Sequence, residues 1–198
     1  MRKNTVFKSV KGLALASMLT AMSVAIGMFC KTFMSYGGGL FRVTFENLPI
    51  IISGLSFGPI VGALVGVASD LISYLLSPQI YPPNLIVTAG AASVGIVSGI
   101  FARYVVPKRG LVQVIVSGGA AHIIGSMIIK SIGLFQYYGI LVLWRIPLYI
   151  VIAGLELTLI CWLFKRNSFR RLINDISPQE LEKRIRANKI RRRKNDLR

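Results

Sequence analysis

Between residues 13 and 164 the chain carries only seven basic and three acidic side chains, scattered through apolar runs that glycine and proline interrupt. So thin a supply of charge leaves a water-soluble fold little with which to cover its surface. Across all 198 residues, 54% are hydrophobic and 16% charged. Soluble domains hold about 45–50% apolar and about 25% charged residues. The mean hydropathy of +0.63 excludes a disordered chain as firmly as a soluble one. An integral membrane protein remains, and at roughly 20 residues per span there is room for about six helices.

The formal charge of +17 and a pI near 10.6 invite a nucleic-acid reading. The distribution of charge argues against it. Residues 1–12 hold four basic and no acidic side chains, and residues 165–198 hold thirteen basic and four acidic ones. Basic ends around an apolar middle follow from the positive-inside rule when both termini are cytoplasmic. The run Arg191-Arg192-Arg193-Lys194 suits anionic lipid headgroups. No nucleic-acid partner is expected. The cysteines, Cys30 and Cys161, sit inside apolar runs and form neither metal spacing nor a disulfide framework.

The expected architecture is all-α, with six transmembrane helices over about 12–31, 44–57, 60–76, 85–106, 111–133 and 141–164. The first is read as a span rather than a cleaved leader, because no small-residue cleavage site stands out. Phe57-Gly58-Pro59 splits a run too long for one span, since Pro59 lacks an N–H and restricts the residue before it. The helix before this break is short, so it is either thin or buried among neighbours. Pro78, Pro82 and Pro83 mark one outer loop, and Pro107-Lys108-Arg109-Gly110 is a basic inner turn. Residues 1–166 are expected to form the membrane domain and 167–198 a basic cytoplasmic tail. The outer loops are poor in basic residues and rich in aromatics, so the outer face is the chemically specific one.

Three sets of residues stand out. Ala14, Ser17, Ala21 and Ala25 place small side chains along one stripe of the first helix. Such a groove serves either packing within the chain or docking of another membrane protein. Arg42, Glu46, Asp70, His122, Lys130, Arg145 and Glu156 are ionisable and lie in or near spans. A charge at the bilayer centre costs about 2.5–3.5 kcal/mol on insertion scales, so each needs a partner or a cavity. Asp70 and Glu156 suit a cation ligand, a proton carrier or an ion-pair partner. Arg42, Lys130 and Arg145 suit an anion or snorkelling to the interface. His122 is read as a packed, hydrogen-bonded side chain. Finally, the outer aromatics, among them Tyr36, Phe41, Phe45, Tyr74, Tyr81 and Trp144, suit an interfacial belt or a flat ring ligand. No phosphate loop, metal-binding helix, nucleophile elbow or Cys-x-x-Cys occurs. Catalysis therefore has no motif behind it, and no cofactor or metal is expected.

The run Phe41-Arg42-Val43-Thr44-Phe45-Glu46-Asn47-Leu48-Pro49-Ile50, then Gly54-Leu55-Ser56-Phe57-Gly58-Pro59 and Asp70-Leu71-Ile72-Ser73-Tyr74, resembles the substrate-binding S components of energy-coupling factor (ECF) vitamin transporters. Within them it is most similar to the folate group. Ser17-Met18-Leu19-Thr20-Ala21 resembles the small-residue motif of the family's first helix. The resemblance covers about residues 10–165. It implies a non-enzymatic subunit that captures a vitamin from outside and docks through helix one onto a transmembrane coupling subunit (the T component) carrying two ATP-binding subunits. It then topples to release its cargo inward. It also implies a multi-pass protein of the cell membrane, in a Gram-positive type of bacterium. On this basis Arg42 and Arg145 are expected to hold carboxylates or a polar ring edge. Asn47 and Asn84 would read a heteroaromatic edge, and Phe45, Tyr74, Tyr81 and Trp144 would enclose the ring, with Asp70 structural. The chain departs from the folate group at Gln79–Asn84 and at Glu46, an acid where a neutral residue is usual. Two other classes stay open: a membrane scaffold acting through its basic tail, and a stand-alone transporter using Asp70 or Glu156 as a proton relay.

Overall fold

The computed structural model describes residues 10–36, 41–76, 84–106 and 111–166. The expected tail, 167–198, and Tyr81 lie outside the described residues, as does the Arg42 side chain. The fold is helical, with α1 (Val10–Phe33), α2 (Asn47–Phe57), α3 (Pro59–Leu76), α4 (Leu85–Ile100), α5 (Leu111–Ala121), α6 (Lys130–Tyr138) and α7 (Arg145–Lys165). A two-residue antiparallel pairing, β1 (Ser35–Tyr36) with β2 (Phe41–Arg42), follows α1, with Ser35 opposite Arg42. Among the described residues, four helical stretches are long and apolar enough to cross a membrane: Val10–Phe33, Pro59–Leu76, Leu85–Val105 and Leu111–Lys165. Leucines and isoleucines on their outer faces are exposed, as a lipid-facing surface requires.

The short second helix is buried, not thin. Ten of the eleven residues of α2 are buried, and it packs on α1, α3 and α4. Ile50, Ile51 and Ile52 make it the centre of the core, with Val61, Val94 and Ile160 around them. It starts at Asn47 rather than 44, because the Thr44 hydroxyl accepts a bond from the Glu46 N–H (3.2 Å) and holds the chain in a turn. It ends at Gly58, whose φ of 98° is open to glycine but strained for other residues. Pro59 then occupies the first position of α3, where its missing N–H costs nothing. Arg103 closes over this break, donating from Nη2 to the Phe57 carbonyl at 2.6 Å. A methyl group at Gly58 would overlap its guanidinium.

Helices α3 and α4 touch backbone to backbone. A Cβ at Gly62 would fall 2.6 Å from the Gly95 carbonyl oxygen and 2.9 Å from the Gly54 Cα. Gly66 meets Ala91 in the same way, and Gly99 meets Pro59. Glycines on facing helices thus bring α2, α3 and α4 into one close-packed slab, as small residues do in membranes.

The last two expected spans differ in detail. α5 continues through a π-helical stretch, His122–Ile129, into α6, which runs to Tyr138 instead of stopping near 133. Nothing in Phe135–Tyr138 breaks a helix, and Gly139, at φ 56°, does. The final helix begins at Arg145 after a 3₁₀ turn, Gly139–Trp144. An α-helix starting at 141 would place Pro147 in its interior and lose a backbone bond, whereas here Pro147 lies in the first turn.

Candidate functional site

The end of the bundle that carries the β1–β2 hairpin, the close of α3 and the start of α4 holds a small polar recess. Its described lining is Ser23 from α1, Glu46 and Ile50 at the start of α2, Ser69, Asp70 and Ser73 from α3, Ala91 from α4 and Lys130 at the start of α6. Three of the few charged side chains in the apolar middle therefore converge on one cavity. A bilayer tolerates intramembrane charge best in such a place.

The charges are organised rather than merely collected. Lys130 Nζ donates to Glu46 Oε1 at 3.2 Å and to Asn47 Oδ1 at 3.0 Å. Asn47 Nδ2 in turn donates to Ser126 Oγ at 3.2 Å. The Ser23 hydroxyl fixes the Glu46 backbone by donating to its carbonyl at 2.7 Å. Gly27 leaves room for the carboxylate, since a Cβ there would lie 3.1 Å from Glu46 Oε2. Asp70 stands apart from this group. Thr88 Oγ1 donates to its Oδ2 at 2.6 Å, and no other partner is seen among the described residues. Lys31 adds a second cation at the edge, its Nζ donating to the Ser73 carbonyl at 3.2 Å, so the described charges in and beside the recess are two acidic and two basic.

This arrangement redistributes the expected roles. Glu46, unusual as an acid, has its counter-charge in Lys130. Asp70 lies on the recess wall, and Lys130 is bound inside the protein rather than snorkelling. Asn47 is buried directly behind the recess, where its amide orders Lys130 and Ser126. Asn84 is occupied structurally: its Oδ1 caps α4 by accepting from the Ile86 N–H (2.9 Å), and its Nδ2 donates to the Gly133 carbonyl (2.7 Å). Phe45 and Tyr74 are half-buried and adjoin lining residues in sequence without being among the described lining. Arg42 sits in the β1–β2 pairing. Arg145 is buried at 3% exposure, its guanidinium 5.5 Å from the Tyr149 ring, and it is not among the described lining. Trp144 is 70% exposed. It does not join the recess, so its fluorescence is a poor reporter of occupancy.

Sequence reasoning missed Ser23, Ser69 and Ser73. The signal was a serine seam on the inward faces of α1 and α3, hidden because serine is ordinary in membrane helices. Ala14, Ser17, Ala21 and Ala25 are exposed on the face of α1 opposite Ala16, Ser23, Val24 and Gly27. Nothing among the described residues covers that stripe.

Comparison with known proteins agrees with this architecture. A solved structure of FolT bound with folic acid superposes with a TM-score of 0.58, covering 84% of this chain and 94% of that one at 21% identity. At that identity the likeness establishes the fold. A Mycoplasma pneumoniae relative, described as uncharacterized protein MG098 homolog, is 33% identical over 96 residues. The match takes in 48% of this chain and only 19% of that relative, so the two share a segment and not a whole length. The model of the ECF transporter substrate-specific component family matches residues 11–172, which include the recess, all the described helices from Lys11 onward and the exposed small-residue stripe. A polytopic helical chain with a polar recess at one end of the bundle, matched over most of its length, is a multi-pass membrane protein of the ECF transporter substrate-specific component family.

Proposed function

We propose that this chain captures folate, or a close pterin relative, from outside the cell and delivers it inward as part of an ATP-driven ECF importer. The observation that carries the reading is the Asp70 carboxylate on the recess wall, with one oxygen held by Thr88. A pterin presents an adjacent ring N–H and amino group, and a carboxylate accepts from two such donors at once. The likeness to FolT bound with folic acid supports the same ligand. In this structure the recess encloses about 10 Å³, room for roughly one water molecule, so the side chains around it must move apart to admit a ring. The remainder of the vitamin would extend past the opening toward Arg42 and the outer loops.

In this reading the chain has six spans, both ends on the cytosolic side, and a place in the cell membrane of a Gram-positive type of bacterium. Its partners are a transmembrane coupling subunit, two ATP-binding subunits and the surrounding lipid. The exposed stripe Ala14, Ser17, Ala21 and Ala25 is the dock, and toppling on the coupling subunit turns the recess inward. The test is a calorimetric titration of the detergent-purified chain with folic acid, 5-formyltetrahydrofolate, thiamin, pantothenate and a queuosine precursor. Saturable heat with a folate alone supports the reading. Binding of another vitamin, or of none by a chain shown to be folded, refutes it. Concentrative uptake in liposomes by this chain alone would refute the need for partners.

A further inference from the structure

A second polar centre lies deeper in the bundle. Glu156 on α7 is fully buried, and its Oε2 stands 2.7 Å from Nε2 of His122, itself only 3% exposed. The contact is close but not aligned as a hydrogen bond, and neither carboxylate oxygen has another donor among the described residues. Two such atoms at this separation need a proton between them. That proton is either on the ring, giving a charge pair, or on the carboxyl, giving a neutral one.

The ionisable surroundings are sparse. Of the elements packed on α7, neither α2, α5 nor the 3₁₀ turn contributes an ionisable side chain, and the π-helical stretch contributes only His122. On α7 itself, Tyr149 is the nearest buried ionisable group, two turns away, and Arg145 is a further turn distant. Helix α4, which packs on the π stretch, has none. The other charges that act on Glu156 are Lys130 and Glu46.

Those two belong to the recess, and the chain's geometry connects the centres. His122, Ser126 and Lys130 recur every fourth residue, so they share one face of the continuous α5–α6 run. His122 meets Glu156, Ser126 meets Asn47, and Lys130 meets both Asn47 and Glu46. The stretch that presents them is π-helical, a form found mostly where function demands it.

We propose that His122 and Glu156 form a proton-binding site inside the bundle, linked through Ser126, Asn47, Lys130 and Glu46 to the charge in the recess. The pair exchanges protons with solvent one at a time, and no other species is consumed. A negative charge gained in the recess holds the proton more tightly, and a positive charge loosens it. By reciprocity, the proton state of the pair changes the recess's affinity for a charged ligand.

His122 is the only histidine in the chain. Histidine labelled with ¹⁵N in its ring therefore yields a single, already assigned set of signals. The measurement is its titration in detergent micelles from about pH 4.5 to about pH 9.5, a range that brackets free imidazole near 6.5. The expected wild-type result is a ring nitrogen hydrogen-bonded to the Glu156 carboxylate, and Glu156→Gln should remove that signature. Glu46→Gln should lower the midpoint and Lys130→Gln should raise it. Eight residues along a helix separate Lys130 from His122 by about 12 Å, which corresponds to shifts of roughly half to one pH unit in a partly screened interior. A ring that holds one state throughout, or whose nitrogens show no hydrogen bond that Glu156→Gln removes, overturns the site. Identical midpoints in the folded recess variants overturn the linkage. If one recess variant does not fold, the other still decides the sign. Because no ligand enters the sample, loss of folate binding and loss of the linkage are separate results.

Discussion

The glycine seam between α3 and α4 makes a sharp prediction for Gly62→Ala. The new methyl carbon would lie 2.6 Å from the Gly95 carbonyl oxygen, and ordinary contact begins at 3.4 Å. The neighbours are backbone atoms of Gly95 and Gly54, so no side chain can turn aside. The helices must part by about 0.8 Å locally, opening a seam that reaches from Pro59–Gly99 to Gly66–Ala91. Overpacking of this kind costs about 1–3 kcal/mol. The better helix propensity of alanine returns up to about 1 kcal/mol. A net loss near 1–2 kcal/mol should lower the midpoint of thermal unfolding by roughly 2–8 °C for a chain of this size. Gly154→Ala is the matched control, because nothing lies within 4 Å of its Cβ. It should be neutral or slightly stabilising. The assay is thermal unfolding in one detergent, with each variant purified in parallel. A Gly62→Ala midpoint equal to wild type, or one no lower than that of Gly154→Ala, would refute the claim that the seam is closed by backbone contact.

Other substitutions probe the recess and the outer face. Asp70→Asn keeps an oxygen for Thr88 but loses the charge-assisted bond to the ring edge, so folate affinity should fall roughly tenfold to a hundredfold by calorimetry with unfolding unchanged. Lys130→Gln removes one ion-pair partner of the Glu46 carboxylate, whose side chain is 15% exposed. Stability should drop by up to about 3–5 kcal/mol, and adding Glu46→Gln should recover part of it in a double-mutant cycle. Ala21→Leu, on an exposed face, should change the isolated chain's stability by no more than about 0.5 kcal/mol. Co-purification with the coupling subunit should nevertheless be lost, and retention would remove the stripe from the docking reading. Trp144→Phe, at a 70% exposed position, should leave the folate titration unaltered.

Local rules made the helices readable. Lipid demands continuous apolar stretches, and Phe57-Gly58-Pro59 announces its own break, so ten of the twelve expected helix ends fall within three residues of the observed ones. Errors arose where the deciding interaction was of another kind. The Thr44 hydroxyl shortens α2, and no breaker halts the helix before Gly139. The recess was legible only in part. Glu46 and Lys130 are 84 positions apart, and no local pattern relates two residues that meet only because α2 and α6 do. Asn84 caps α4, a use that its position just before Leu85 foretells. Trp144 closes the 3₁₀ turn before α7, and its 70% exposure had no local signal in the sequence.

The glycine seam also bears on how such a chain can change its diet over evolutionary time. Where backbone meets backbone, almost every substitution is a steric error, so positions 54, 62, 66, 95 and 99 are closed to experiment by mutation. The side chains that line the recess sit beyond the seam, near helix ends or on the opposite rim: Glu46, Asp70, Ser73 and Lys130. A lineage can exchange Asp70 and Ser73 singly, and Glu46 with Lys130 as a pair, while the seam stays closed. The same frame could therefore be refitted to a different cargo by a handful of changes at its outer end.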